Sequence, residues 1–309
     1  MKILELGGAG FVGSHLAEKL LKQGHNVAIV DNLTTGSTQH IPPQARFHFE
    51  DIRSPKLEDV FQSEHPDVII HLAAQKSVPH SVENPSLDAD INIMGLINTL
   101  TLAIKYEVAK IIFFSTGGAL YGNTEQVPTP ETEAPQLVSP YAISKYTGEK
   151  YVEYYNCLYQ ILYTIFRPAN IFGPRQKPDG ECGVIPIYLQ NILAERPSHL
   201  YTYADMPDGV TRDYVYVEDV VNAVVKSLNQ NESNIFNVGS GVETSTKDIY
   251  TKLQDITGTN QPLIQEKERA GDVRRSALDI TRAETLLGWV AQVSLAAGLE
   301  ETVKYETGE

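Results

Sequence analysis

The chain has 309 residues, with 42% hydrophobic and 21% charged side chains, 39 acidic residues against 25 basic, and a formal net charge of −14. That length suffices for one large or two modest domains with a sizeable core. The acidic balance excludes a broad surface for phosphate backbones or anionic membranes, so no nucleic-acid or membrane partner is expected, while a few arginines gathered in one anion pocket stay possible.

Lys2–Leu6 reads as a short buried strand. Gly7-Gly8-Ala9-Gly10-Phe11-Val12-Gly13 follows, then an amphipathic helix from Ser14 to about Lys22. Val27–Val30 is a second strand, ending at Asp31. Glycines in this place let backbone approach a pyrophosphate at the positive end of the helix. Asp31 stands where an acid accepts hydrogen bonds from an adenine ribose, and with no arginine beside it the pattern points to NAD over NADP. Strands at 47–50, 67–72 and 111–114 alternate with helices at 57–64 and 90–107, the signature of a doubly wound parallel sheet, a Rossmann-type α/β fold. Gly7, Asp31, Asp51, Ala73 and Ser115 all fall at the carboxyl ends of strands, where ligands bind in such sheets.

The last of these strands delivers Ser115-Thr116-Gly117-Gly118-Ala119-Leu120-Tyr121-Gly122, and downstream comes Tyr141-Ala142-Ile143-Ser144-Lys145. A spacing of four puts Tyr141 and Lys145 on one helix face, one turn apart. A free phenol, with pKa about 10, is a poor base at neutral pH. A nearby ammonium favours the phenolate and tunes it to accept a proton from an alcohol hydroxyl. Such a pair is more often a half-buried ring beside a solvated amine; the ordered motifs around it favour chemistry.

The tyrosine-rich helix continues to Leu158, and a strand at 161–166 ends at Arg167-Pro168-Ala169-Asn170. Regular alternation then fails, which predicts an NAD-binding domain over 1–167 and a smaller mixed α/β domain over 168–309. Strands near 214–217 and 234–238 are expected to return to the main sheet, with further helices at 184–193, 246–257 and 282–287. The two cysteines, Cys157 and Cys182, offer neither a disulfide framework nor metal-ligand spacing, so no metal is expected. The start of the chain has no leader pattern and no apolar run approaches membrane-spanning length, so the expected setting is the cytoplasm.

These ordered motifs resemble the extended short-chain dehydrogenase/reductase family, and within it the UDP-glucose 4-epimerases. The match extends through Arg212-Asp213-Tyr214-Val215, Arg269-Ala270-Gly271-Asp272 and Leu287-Gly288-Trp289, so it covers nearly the whole chain. The resemblance implies NAD held by Gly7, Gly10, Phe11, Val12 and Gly13 at the pyrophosphate. Asp31 and Asn32 would bind the adenine ribose, and Asp51 and Ile52 would flank the adenine. Leu72, Ala73, Ala74, Lys76, Asn92, Ser115 and Pro168 would line the rest of the cofactor. It implies Tyr141 as the base and Lys145 as its electrostatic partner and ribose ligand. It implies a UDP-sugar held by Asn170, Val184, Tyr203, Arg212, Arg269 and Asp272, with Gly117 and Gly118 beside the sugar and Ser276 bordering its 2-substituent. It also implies a homodimer built on the helices near 90–107 and 144–159.

The sequence departs from the family pattern twice. Leu6 stands where members usually carry threonine, which costs a hydroxyl and not the turn. Gly117 stands where many carry the third catalytic serine or threonine; Thr116 takes that role here, and Tyr141, Lys145 and Thr116 form the expected catalytic set. Dehydratases of the family carry an Asp-Glu pair in place of Gly117-Gly118, and decarboxylases a glutamate in the same turn; both are absent. A UDP-glucuronate 4-epimerase is the nearest rival reading. A redox-sensing NAD-binding module without turnover is opposed by the intact Tyr141/Lys145 pair.

Overall fold

A computed structural model of the chain describes residues 1–178, 183–268 and 272–308. The first strands and helices are β1 (Lys2–Leu6), α1 (Phe11–Lys22), β2 (Asn26–Asp31), β3 (Arg46–Phe49), α2 (Leu57–Glu64) and β4 (Val68–His71). Next come α3 (Val78–Glu83), α4 (Pro85–Ala89), a π-helical turn (Asp90–Met94), α5 (Gly95–Lys105), β5 (Lys110–Phe114), α6 (Pro140–Tyr159) and β6 (Leu162–Pro168). The order continues with β7 (Asn170–Phe172), α7 (Val184–Leu193), β8 (Ser198–Tyr201), β9 (Thr211–Arg212), β10 (Tyr214–Tyr216) and α8 (Val217–Ser227). It closes with β11 (Asn234–Val238), β12 (Thr244–Ser245), α9 (Thr246–Thr257), β13 (Leu263–Glu266), a π-helical turn (Ala283–Leu287) and α10 (Leu295–Thr307).

The chain divides into two compact units. Unit 1 comprises Met1–Thr116, Ser139–Arg167 and Val221–Phe236; unit 2 comprises Gly117–Val138, Pro168–Val220 and Asn237–Glu309. A seven-stranded sheet runs in the order β11-β6-β5-β4-β1-β2-β3. The pairs from β3 through to β6 are all parallel, with Leu6 opposite both Val30 and His71. Its apolar core joins Leu4, Leu6, Val30, Ile69, Ile111 and Phe113 to Leu96 and Leu100 of α5 and Val152 of α6. Strands buried on both faces read as continuous apolar runs, which is why their positions were visible in the sequence.

Helix boundaries follow local chemistry. α1 begins three residues before the expected Ser14, with Gly10 as its N-cap. In α6, Ser139 Oγ accepts from Ala142 N and Pro140 occupies the first turn. Four expectations need correction. β10 does not return to the main sheet; it pairs in parallel with β7. The chain turns at Ala169, whose N–H goes to Val238, so Asn170–Phe172 is freed to take up Tyr214–Tyr216. The expected helix over 90–107 starts as a π-helical turn continuous with α4. The continuous helical stretch Pro85–Lys105 is, by length and composition, apolar enough to cross a membrane, contrary to expectation. Its inner face carries buried Asp88, Asn92, Leu96, Thr99 and Leu100, which makes it a core helix. Finally, α10 was not foreseen, although Ser294 caps it and Leu295, Leu299 and Val303 recur at helical spacing.

One residue of β1 breaks the apolar run. Glu5 is wholly buried, and neither carboxyl oxygen has a partner among the described residues. It lies under the glycine turn, its Oε2 2.9 Å from where a Cβ on Gly8 would stand. Burial pushes its carboxyl well above the ordinary range. The folded state therefore holds a proton that the unfolded state releases, and the stability this group allows is lost as pH rises towards the folded value. Glu5→Leu is expected to stabilise the protein by about 1–3 kcal/mol at pH about 8, and by less at pH about 5. Thermal unfolding of both proteins across that interval checks this, and parallel curves count against it.

Candidate active site

In unit 1 the glycine turn is built for close approach. Gly7 has φ +88°, and a Cβ there would lie 2.6 Å from Ala73 N; one on Gly13 would lie 2.6 Å from Gly8 Cα. Leu72 N and Ala73 N both donate to Leu6 O at 2.8 Å, which locks the segment after β4 onto the turn. Phe11 and Val12 open α1, whose N-terminus has no side-chain cap and no acidic residue in its first turn. Backbone N–H groups at such an end suit an anion. Asp31, at the end of β2, is buried and accepts from Ala9 N (3.0 Å) and Leu33 N (2.8 Å). These features fit a dinucleotide.

At the edge of this cradle Asn32 Nδ2 donates to Asp51 Oδ2 at 2.8 Å. Arg53 grips the same carboxylate through Nε and Nη2, both at 2.9 Å, and reaches Asp90 through Nη1 at 2.7 Å. Hydrogen bonds from Arg53 hold Asp51 well below the usual carboxylate range. Ile52 is buried, with its Cδ1 2.5 Å from a Cβ built on Gly95. Ala74 is half-buried and Lys76 is exposed.

Tyr141 and Lys145 lie on α6, as their spacing requires. Tyr141 is half-buried, and its backbone N donates to Ser81 Oγ at 3.2 Å. Lys145 is buried, its ammonium 4.9 Å from the centroid of the Phe113 ring. Burial holds Lys145 down to about 8, opposed by the charges of Asp88 and Glu149. Burial also pushes the His71 imidazole down to about 3, with the Lys145 charge adding to the effect, so His71 is neutral. Thr116 and Ser115, at the end of β5, are buried; Ser115 Oγ has no partner among the described residues. Thr116 belongs to unit 1 with Tyr141 and Lys145, whereas Gly117 and Gly118 belong to unit 2.

Sequence reasoning missed the polar cluster that joins these parts. Asp88 is wholly buried. Its Oδ1 accepts from Gln75 Nε2 (2.8 Å) and Asn92 Nδ2 (3.0 Å), and its Oδ2 from Ser144 Oγ (2.6 Å). Asn92 also closes a ring with the Gln75 backbone, accepting from its N and donating to its O, both at 2.9 Å. The available signal was an acid four residues before an amide on one helix, Asp88 and Asn92.

In unit 2, Gly117 N and Gly118 N donate to Pro168 O at 2.8 and 3.3 Å, and Asn170 Nδ2 donates to Asp213 O at 3.2 Å. Tyr203 Oη donates to Asp272 Oδ2 at 3.2 Å, and the Arg274 guanidinium sits 5.1 Å from the Tyr203 centroid. Arg212 donates to Thr211 O at 2.8 Å. Burial lowers its pKa, and the Tyr214, Asp272 and Tyr203 side chains act the other way. The unit thus brings Tyr203, Arg212 and Asp272 together. Val184 opens α7, and Ser276 is half-buried just before Leu278. Arg269 lies outside the described residues, as does Cys182.

The model of the NAD dependent epimerase/dehydratase family matches residues 3–239. The UDP-glucose 4-epimerase of Mycolicibacterium smegmatis is 40% identical over 99% of this chain and 98% of its own. The crystal structure of a Thermotoga maritima UDP-glucose 4-epimerase with UDP-glucose is 42% identical, covers 100% of both chains and superposes with a TM-score of 0.95. That of Thermus thermophilus UDP-glucose 4-epimerase in complex with NAD is 38% identical, with a TM-score of 0.94 over 100% of this chain and 99% of that one.

Proposed function

The chain belongs to the NAD dependent epimerase/dehydratase family, and we propose that it interconverts UDP-galactose and UDP-glucose through a retained 4-keto intermediate. The observation that carries this reading is Tyr141 one helical turn before a buried Lys145, in the same unit as the glycine cradle and Asp31. Relatives of similar length that act as UDP-glucose 4-epimerases support the choice of sugar.

The cofactor would be held by Gly7, Gly10, Phe11, Val12 and Gly13 at the pyrophosphate and by Asp31 and Asn32 at the ribose. When bound, NAD would supply reversible hydride chemistry at carbon 4, so that the reaction would have no net redox change. Tyr141, as phenolate, removes the 4-hydroxyl proton and later gives it back. The Lys145 ammonium stabilises that phenolate. Thr116 is the third residue of the set, donating to the sugar oxygen as charge develops on it. Arg212 and Arg269 hold the diphosphate, since guanidinium offers paired donors. Tyr203 and Asp272 hold the nucleoside. Anchoring through the UDP moiety lets the keto sugar turn without being lost.

The test is to purify the protein, ask whether NAD stays bound, and assay UDP-galactose, UDP-glucose and UDP-glucuronate. Interconversion of the first two supports the reading. Turnover of UDP-glucuronate alone replaces it with a uronate epimerase.

Substrate breadth turns on Ser276, which by resemblance borders the sugar's 2-substituent. A serine leaves space for an acetamido group where a tyrosine would exclude it, because packed pockets yield little volume. UDP-N-acetylglucosamine and UDP-N-acetylgalactosamine are expected to be interconverted as well. Ser276→Tyr is expected to remove that activity and spare UDP-galactose; a wild-type enzyme inactive on both N-acetylated sugars overturns this.

The protein is proposed to act in the cytoplasm as a homodimer. Met94 beside α5, with Tyr154, Leu158 and Tyr159 on α6, leaves an apolar surface 49–57% exposed residue by residue. Pairing of these helices across a two-fold axis would cover it. Sedimentation as a monomer at micromolar concentration contradicts the dimer.

A further inference from the structure

The Asp88 cluster has a place in the reaction that its burial alone does not reveal. Four segments meet at one carboxylate or its immediate partners. They are Gln75 from the segment after β4, Asp88 of α4, Asn92 of the π-helical turn and Ser144 of α6. Ser144 is the residue immediately before Lys145 and three after Tyr141. A bond that fixes Ser144 therefore fixes the helical turn from which both catalytic side chains project.

Among the described residues, Asp88 and Glu149 act on Lys145, and Lys145 acts on His71. Glu149 lies one turn further along α6, but Arg167 of β6 grips it through two bonds, at 2.9 and 2.6 Å. His71, on β4, is neutral and packs against the same Phe113 ring as Lys145. β5 presents the Phe113 ring. The carboxylate of Asp88, on α4, favours the Lys145 ammonium electrostatically, and its three bonded donors are two amides and a hydroxyl, all neutral. Both carboxylates favour the Lys145 ammonium; Glu149 also has a cationic partner, Arg167, whereas the side chains bonded to Asp88 are neutral.

We propose that Asp88 is a positioning residue: it ties the catalytic turn of α6 to the segment after β4 and stands as the counter-charge of the Lys145 ammonium. The inference rests on the epimerase reading above. Loss of its charge leaves burial to drive Lys145 further down, so the ammonium deprotonates at lower pH and the Tyr141 phenolate loses its partner sooner.

Two variants of the full chain test this. Asp88→Asn is expected to lower kcat on UDP-galactose about tenfold, keep KM within about twofold, and move the alkaline limb of the kcat–pH profile down by about one pH unit. Ser144→Ala keeps the charge and removes the tether; kcat falls several-fold, about as expected for one lost orienting bond, while the alkaline limb stays in place. A readout free of substrate accompanies them. The side-chain NMR signal of Lys145, identified by its absence in Lys145→Met, is titrated in wild type and in Asp88→Asn, and its midpoint is expected to fall in the variant. An unmoved midpoint, or an Asp88→Asn enzyme that only melts earlier with kcat and pH profile intact, overturns the proposal. Should Asp88→Asn fail to fold, a Ser144→Ala enzyme with wild-type kcat overturns it alone. A wild-type protein inactive on UDP-galactose defeats the epimerase reading, and the lysine titration still decides the role of Asp88.

Discussion

Tyr141→Phe is expected to lower kcat by about 10³-fold, within the range that general acid–base catalysis contributes. The substitution removes one oxygen and leaves the aromatic ring, so the packing of α6 and retention of NAD are expected to survive. Without the phenol, nothing at that point of the helix can take up the 4-hydroxyl proton, and Lys145 is left an ammonium with no phenolate to stabilise. Thr116→Val gives the graded comparison. It keeps the shape at the end of β5 and removes a hydroxyl that assists charge development, for an expected loss of about tenfold or more. Steady-state kinetics of both variants, with bound NAD quantified, settle the ranking. A Tyr141→Phe enzyme retaining a tenth of wild-type turnover removes Tyr141 from its role.

Arg167→Leu is expected to be the most destabilising single change in unit 1. Arg167 and Glu149 are 4% and 0% exposed, and the guanidinium meets the carboxylate as a two-bond fork. Removing one partner strands a buried charge, at a cost of about 3–5 kcal/mol. Replacing both together, Arg167→Leu with Glu149→Leu, strands nothing and is expected to recover most of the loss. Urea unfolding of the two single variants and the double variant gives the comparison. If the double variant is as unstable as the sum of the singles, the pair is not acting as a pair.

What the sequence made legible was local. Gly7, Gly10, Gly13 and Asp31 form a pattern within one strand–helix–strand unit, and period four alone put Tyr141 and Lys145 on one face. The bond from Ser144 to Asp88 spans 56 positions, and no periodicity links residues so far apart. Val215 and Tyr216 announce a strand by composition, but composition does not name its neighbour; the turn at Ala169 gave them β7. Glu5 reads as an ordinary member of a buried run, because its three apolar neighbours, Ile3, Leu4 and Leu6, hide one acid. α10 follows the Leu287-Gly288-Trp289 segment, and its cap and apolar repeat are both in the sequence. Arg269 lies outside the described residues.

The position of β11 at one end of the seven-stranded sheet bears on how the protein can be made and cut. Until residues 234–238 leave the ribosome, β6 has no neighbour on its outer side. For that interval Ile165 and Phe166 sit on an open sheet margin, with unpaired backbone groups of the kind that recruits other chains. A fragment ending at Arg167 keeps the whole glycine cradle and both residues of the Tyr141/Lys145 pair, yet it makes that transient state permanent, and light scattering of such a fragment would register its self-association. The nucleotide half is therefore not a portable module in its natural order. Transplanting it means rejoining 221–236 to the end of β6 by a new connection, so that the missing rib of the sheet arrives with the rest.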